Sequence, residues 1–358
     1  MAGGAEVETE VGAEPFVSYL REKLPMVEEA LGLAGAGPLC AEGPVDDLDT
    51  YLYRPLCRFT AGGGKRVRPV LALLGAEAVG GRAGDALSAG VAIELFQSAA
   101  LIHDDIADRS ELRRGEPCLH KTLGTGLALN AGDLALTEVF EVVLADAQMP
   151  AERKLLVLRE LVRMERHTLE GQALDLGWAR DGRWDVSAED YLYMIDGKTA
   201  WYSVAMPLYI GALCAGAAPE RASGLIALGR HAGLAFQLQD DLLNLVGDAA
   251  AQGKDFRSDI TEGKRTLAVV WALEHLAQDG RAELVELLQA GTTDPARLAR
   301  AVELLEAGGG VARCRELALH EAALAQDQAR ELADRGAVTE RARELLCSMA
   351  VFFVERER

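Results

Sequence analysis

DALSAGVAIELFQSAALIHDDIADR, running from Asp85 to Arg109, is the stretch from which the rest of the chain can be read. It contains no proline and a single glycine, Gly90, so roughly six or seven helical turns can pass through it unbroken. Apolar residues occur on more than one side, as in a helix buried on several faces. Asp104, Asp105 and Asp108 stand at its end. Asp104 and Asp108 are four residues apart and project from one face, with Asp105 about 100° further round. Carboxylates crowded beside apolar side chains repel one another unless a cation joins them. Magnesium suits such a group, because it prefers oxygen ligands and shares its coordination sphere with substrate phosphates. A solvated acidic helix end gives the same pattern, and one copy does not separate the two readings.

Outward from this stretch the chain stays helical in character. Segments 127–147, 151–180, 188–217, 222–247, 265–279, 294–307, 311–335 and 338–356 are rich in Ala, Leu, Glu and Arg, residues of high helix propensity. Breaks fall at Gly62–Gly64, Gly80-Gly81, Arg114–Pro117, Met149-Pro150, Asp181-Gly182 and Gly308–Gly310. No alternating apolar run demands a sheet, and no period of a solenoid is present. The expectation is an all-α fold: a small acidic, disordered lead-in over residues 1–14, then one helical domain over 15–358.

The bulk composition narrows the function. The 358 residues carry a formal net charge of −19, which repels phosphate backbones and argues against nucleic-acid binding. Six scattered cysteines include no CxxC pair or zinc-like spacing, as expected for reduced thiols in the cytoplasm. No run of apolar residues is long enough to suggest a membrane span.

A second carboxylate group lies far along the chain in Phe236-Gln237-Leu238-Gln239-Asp240-Asp241-Leu242-Leu243-Asn244. Again a pair of aspartates closes an apolar helical run, with Asn244 where a third could stand. Helix bundles build carboxylate metal sites from such inward-facing groups. Basic residues accompany both clusters: Lys65, Arg66 and Arg68 after Gly62–Gly64; Arg109, Arg113 and Arg114 after the first cluster; Lys254, Lys264 and Arg265 after the second. Arg presents a planar fork to phosphate oxygens and Lys a point charge. Helix capping and surface ion pairs are the plainer use of each group taken singly. Walker A spacing is absent, so Gly62–Lys65 is not a P-loop.

Taken together, these motifs resemble the polyprenyl synthetase (trans-isoprenyl diphosphate synthase) family. The resemblance rests on GGKRVRP (63–69), ELFQSAALIHDDIADRSELRRGEP (94–117), NAGDLAL (130–136), GQALDL (171–176), DGKTA (196–200), FQLQDD (236–241) and GKDFRSDITEGKRT (253–266). It implies a helical bundle of the isoprenoid synthase type with a central deep cavity, acting as a homodimer on isopentenyl diphosphate and an allylic diphosphate. It implies three Mg²⁺ ions per site, held by Asp104, Asp108 and Asp240, with Asp105 and Asp241 supporting them partly through water. Arg113, Lys254 and Lys264 would meet the allylic diphosphate; Lys65, Arg68, Arg114 and Gln97 the isopentenyl diphosphate. Lys198, Thr199 and Gln237 would line the developing cation, with Gln172 and Asp175 in support. His103 is left to packing or to a supporting contact. Two departures from the family pattern stand out: Asn244 in place of an aspartate, and Gln97 where many members have His.

Product length is open to a helical argument. Phe96, Ala100, Asp104 and Asp108 form an i+4 stripe, and Ala99 and Ala100 are too small to block a prenyl tail running back from Asp104. Phe96 lies about 12 Å from Asp104 at 1.5 Å per residue, comparable with about three isoprene units, and could form the floor. It could equally be ordinary core. The floor reading favours geranylgeranyl diphosphate over the farnesyl or longer products. A class I terpene cyclase or a non-catalytic partner subunit fits less well, because the second Asp pair, the Lys65/Arg68 group and the arginines are all present.

Overall fold

The computed structural model describes residues 12–34, 37–39, 42–247 and 256–356. Every long element among them is a helix. The only strands among the described residues are Leu112–Arg113 and Glu116–Pro117, a two-residue antiparallel ladder. The all-α expectation holds. The described residues gather into two compact units: an N-terminal unit of Ser18–Arg163 and Met206–Ser223, and a C-terminal unit of Met164–Ala205 with the described parts of Met1–Val17 and Gly224–Arg358.

In the N-terminal unit the helix Leu87–Ala107 packs against Thr125–Ala145 and Val67–Ala78, and Met206–Cys214 lies against Val67–Ala78. Residues from Ala89 to Ala99 on Leu87–Ala107 are buried without interruption, including Glu94 and Gln97. This explains why its sequence shows no single apolar stripe. Ala83–Ala107 is long and apolar enough to cross a membrane, but 72% of its most apolar window is buried within the protein. Helix Val67–Ala78 begins at Arg66, whose backbone is left-handed (φ 48°). The Arg66 side chain is buried and bonds Glu94 at 2.7 Å and Glu28 at 2.8 Å.

In the C-terminal unit the helix Gly224–Val246 packs on Gly310–Asp334, on Glu340–Glu355 and on the segment Asp196–Ala205. Caps mark the helix starts. Ser187 and Asp190 form a reciprocal capping box ahead of Ala188–Ile195. Asp294 accepts from the amides of Ala296 and Arg297 ahead of Pro295–Ala307, and Thr339 from that of Ala342. Such side chains satisfy amides that the helix leaves unpaired.

Two expected boundaries shift. The segment read as 265–279 ends at His275, and a separate helix, Gln278–Gln289, follows an extended Leu276. The segment read as 188–217 changes its winding to i→i+5 over Asp196–Ala205. Helix Glu14–Leu33 starts where the lead-in was expected to end, while residues 1–11 lie outside the described residues. Phe16, fully buried, packs on Phe352 and Phe353 in the C-terminal unit.

Candidate active site

The N-terminal unit carries the first motif set. Leu87–Ala107 ends two residues after Asp105, and Asp108 caps it, its amide donating to the Asp104 carbonyl at 2.8 Å. Asp104 is half-buried and Asp108 exposed. Asp105 differs: it is 1% exposed and accepts from Arg113 Nε at 3.0 Å and Nη2 at 2.5 Å. The arginine expected on the allylic diphosphate is thus tied to the motif itself. His103 packs over Gly132, where a Cβ would come within 2.3 Å of its Nε2; the imidazole needs a glycine opposite it.

Arg113 and Arg114 stand on the small hairpin. Its turn is Arg114-Gly115, both with positive φ, 53° and 84°, the handedness that a two-residue hairpin turn requires. The Arg114 guanidinium lies against Gly64, whose added Cβ would meet Nη2 at 3.2 Å. Burial depresses the Arg114 pKa, Glu94 opposes the shift, and the charges of Arg66, Arg113 and Arg68 add to it. The structure therefore gathers Arg68, Arg113 and Arg114 into one positive cluster, and Arg66 is held in it by Glu28 and Glu94. Lys65 is exposed on the adjoining loop, and Gln97 is buried. Phe96 is buried on the same helix and Ala100 half-buried, while Ala99 belongs to a small apolar cluster with Leu56, Ile102, Ala128 and Ala135.

The C-terminal unit carries the second set around a cavity of about 130 Å³, lined by Asp175, Tyr191, Lys198, Thr199, Gln237, Asp240, Asp241, Asn244, Asp259, Lys264 and Arg265 among others. Lys198 Nζ donates to Asp175 Oδ2 at 2.5 Å. Burial would raise the Asp175 carboxyl, but the ammonium groups of Lys198 and Lys264 more than reverse this, and it titrates below the usual carboxylate range. Gly171 lets its helix approach the Lys198 backbone, since a Cβ there would lie 2.3 Å from the Lys198 nitrogen.

The two aspartates of the second motif have different partners. Asp240 is 57% exposed and accepts from Arg356 Nη2 at 2.9 Å. Arg356 also donates to the Phe236 carbonyl at 2.9 Å, and its guanidinium stacks 4.0 Å above the Phe236 ring. Asp241 is 4% exposed; its Oδ2 accepts from the Tyr191 hydroxyl and its Oδ1 from Gln237 Nε2 at 2.8 Å. Burial pushes the Asp241 carboxyl up to about 8, with the Asp259 charge adding to the rise. Burial likewise raises Asp259 to about 6 against the pull of Lys264.

Asn244, where an aspartate was missed, has local work. Its Nδ2 donates to Ser258 Oγ at 3.0 Å, and its Oδ1 accepts from the Asp259 amide at 3.2 Å. An aspartate could accept from that amide but could not donate to Ser258. Lys264 bonds Glu262 at 2.7 Å. Lys254 lies outside the described residues. Sequence reasoning did not single out Tyr191, Asp259 or Arg356. Tyr191 stands seven residues before Lys198, a spacing that puts both on one helical face. Asp259 was inside a quoted motif, whereas nothing local points to Arg356.

Among the described residues no three His, Cys, Asp or Glu side chains gather closely enough to hold a metal ion by themselves. Mg²⁺ does not require such a cage, since one or two carboxylates plus substrate phosphates suffice. Asp104 and Asp108 in one unit, and Asp240 in the other, are oxygen donors of that kind.

An all-α chain whose motifs pair carboxylates with arginines and lysines has the make-up of an isoprenoid synthase. The chain belongs to the polyprenyl synthetase family, whose model it matches over residues 49–305. It is 41% identical over 297 residues to the short chain isoprenyl diphosphate synthase of Methanothermobacter thermautotrophicus, covering 82% of this chain and 87% of that one. It is 37% identical over 297 residues to the (2E,6E)-farnesyl diphosphate synthase of Mycobacterium bovis, covering 82% and 80%. The crystal structure of the geranylgeranyl pyrophosphate synthetase from Pyrococcus horikoshii matches with a TM-score of 0.83 at 33% identity, over 96% of this chain and 99% of that one.

Proposed function

We propose that this trans-prenyltransferase condenses isopentenyl diphosphate with dimethylallyl, geranyl or farnesyl diphosphate, depends on Mg²⁺, and makes geranylgeranyl diphosphate as its main product. Bound Mg²⁺ would neutralise the departing diphosphate and so ease cleavage of the allylic C–O bond. Asp104, Asp108 and Asp240 are the proposed holders of three ions; both motif sets serve the one reaction. Arg113 and Lys264, joined by Lys254, receive the allylic diphosphate, while Lys65, Arg68, Arg114 and Gln97 receive the isopentenyl diphosphate. As the C–O bond breaks, its electron pair leaves with the diphosphate and positive charge develops on the allylic carbon. Lys198, Thr199 and Gln237 line that developing charge, the last two offering it oxygen dipoles. The isopentenyl double bond attacks the carbon, and the released diphosphate takes the final proton.

The product length rests on one observation: Phe96 is buried on the helix that carries Asp104, two turns back along the stripe of Ala100 and Asp104. Purified protein is to be incubated with Mg²⁺, isopentenyl diphosphate and each allylic primer in turn, and the dephosphorylated products separated by chromatography. A C20 alcohol from all three primers is expected. A C15 end point would make the chain a farnesyl diphosphate synthase, and diphosphate release from the allylic substrate alone would point to cyclase chemistry. Phe96→Ala should shift the products beyond C20, and an unchanged distribution would remove Phe96 as the floor. We further propose a cytoplasmic homodimer, which light scattering after gel filtration tests.

A further inference from the structure

The carboxylate of Asp241 is engaged on both sides by protein donors, the buried Tyr191 and the half-buried Gln237. Oδ2 takes the hydroxyl hydrogen of Tyr191, and Oδ1 takes an amide hydrogen of Gln237 at 2.8 Å. Tyr191 is 2% exposed and Asp241 4%, so the bond between them cannot be exchanged for water at low cost. An amide that commits its NH₂ group to one partner has its carbonyl oxygen fixed on the opposite arm. Gln237 lines the cavity together with Lys198 and Thr199. Opposite an ionised Asp241, the amide flip that would turn its NH₂ outward would instead place two acceptor oxygens face to face.

We infer that Tyr191 is a positioning residue: through Asp241 it locks the Gln237 amide with its oxygen toward the cavity, where positive charge develops on the allylic carbon. Its own element supports the task. Helix Ala188–Ile195 is fixed at its start by the Ser187–Asp190 capping box, and Met194 and Ile195 are buried in the same core as Leu238 and Leu242, which flank the second motif. In this arrangement Asp241 acts toward Gln237, and Asp240 remains the aspartate of the pair that is open to a cation. The inference rests on the prenyl-transfer reading of the cavity. A preorganised dipole aimed at developing charge speeds the chemical step without tightening ground-state binding. The signature of Tyr191 is therefore in kcat rather than in KM.

The test is a double-mutant cycle of Tyr191→Phe with Gln237→Leu, joined to a measurement that needs no substrate. Tyr191→Phe should lower kcat about tenfold, with the KM for each diphosphate within about twofold of wild type. In the Gln237→Leu background the same substitution should change kcat less than about twofold, because the group it positions is gone. Equal losses in both backgrounds, or no loss in the wild-type background, would overturn the assignment and leave Tyr191 as packing. In protein labelled with ¹⁵N-glutamine, the carboxamide pair missing from Gln237→Leu identifies Gln237. One of its protons should lie downfield, bonded to Asp241, and should move upfield in Tyr191→Phe. Should that variant fail to fold, 3-fluorotyrosine placed at position 191 strengthens the donor and should shift the same proton measurably. A Gln237 signal indifferent to the change at position 191 refutes the lock. Absence of turnover by the wild-type protein would count against prenyl transfer, and the carboxamide signals would still decide the orientation.

Discussion

Arginine 114 is one of four non-glycine residues with positive φ among the described residues; the others are Arg66, Arg109 and Arg257. All four are arginines, and all lie in the loops beside the motifs. A left-handed backbone costs an L-residue about 1–2 kcal/mol, and such strain persists where the surroundings over-determine it, often at functional sites. Arg66 shows the compensation directly, with its guanidinium buried between Glu28 and Glu94. Arg114 has a different partner set, facing Gly64 and the other arginines. Arg114→Gly should therefore relieve the turn and leave thermal stability equal or higher. The KM for isopentenyl diphosphate should rise by about tenfold or more, the size of a lost charge-assisted hydrogen bond. A melting temperature that falls in step with the KM would mean that the side chain holds the hairpin rather than the substrate.

At the scale of elements, glycines decide how near two helices come. Gly171 on the helix Ala151–Arg180 meets the backbone of Asp196–Ala205 at Lys198, with no room for a methyl group. Gly171→Ala gains helix propensity of about 1 kcal/mol, yet it forces apart two helices that are held in register by Lys198–Asp175. Overpacking of this kind costs about 1–3 kcal/mol, so a net loss in denaturant midpoint is expected. A several-fold drop in kcat should accompany it as Lys198 and Thr199 move. Retained midpoint and retained kcat together would show that the segment yields without cost. The same segment shows what helix periodicity cannot convey: i→i+5 winding depends on what packs around it. The hairpin that carries Arg113 and Arg114 was legible only as a Gly-Pro break, because a ladder of two residues on each strand has no alternation to detect.

Stability as a function of pH belongs to the whole molecule. Burial raises Asp241 to about 8 and Asp259 to about 6, above the ordinary carboxylate range of the unfolded chain. A carboxyl raised on folding contributes stability that is complete below the unfolded pKa and is lost as pH rises through the folded one. With divalent cations chelated, thermal stability should fall between about pH 5 and about pH 9. Thermal denaturation across that range checks this, and Asp259→Asn should flatten the fall; an equal slope in the variant would place its origin elsewhere. Much of the molecule could be read from the chain alone. The all-α class followed from propensity and from the absence of strand alternation. The two carboxylate sets and their accompanying cations followed from spacing, because i and i+4 positions share a face whatever the helix packs against. Division of labour within each aspartate set needed tertiary structure. Asp104 and Asp105 are neighbours in sequence, as are Asp240 and Asp241, yet one of each pair is buried on protein donors while the other is more exposed. Arg356 reaches Asp240 across 116 positions of sequence, and Tyr191 reaches Asp241 across 50. Residue type and spacing determined which groups are candidates to hold a diphosphate; burial and long-range partners, which only packing creates, decided which of those candidates stay exposed and which are tied to protein donors.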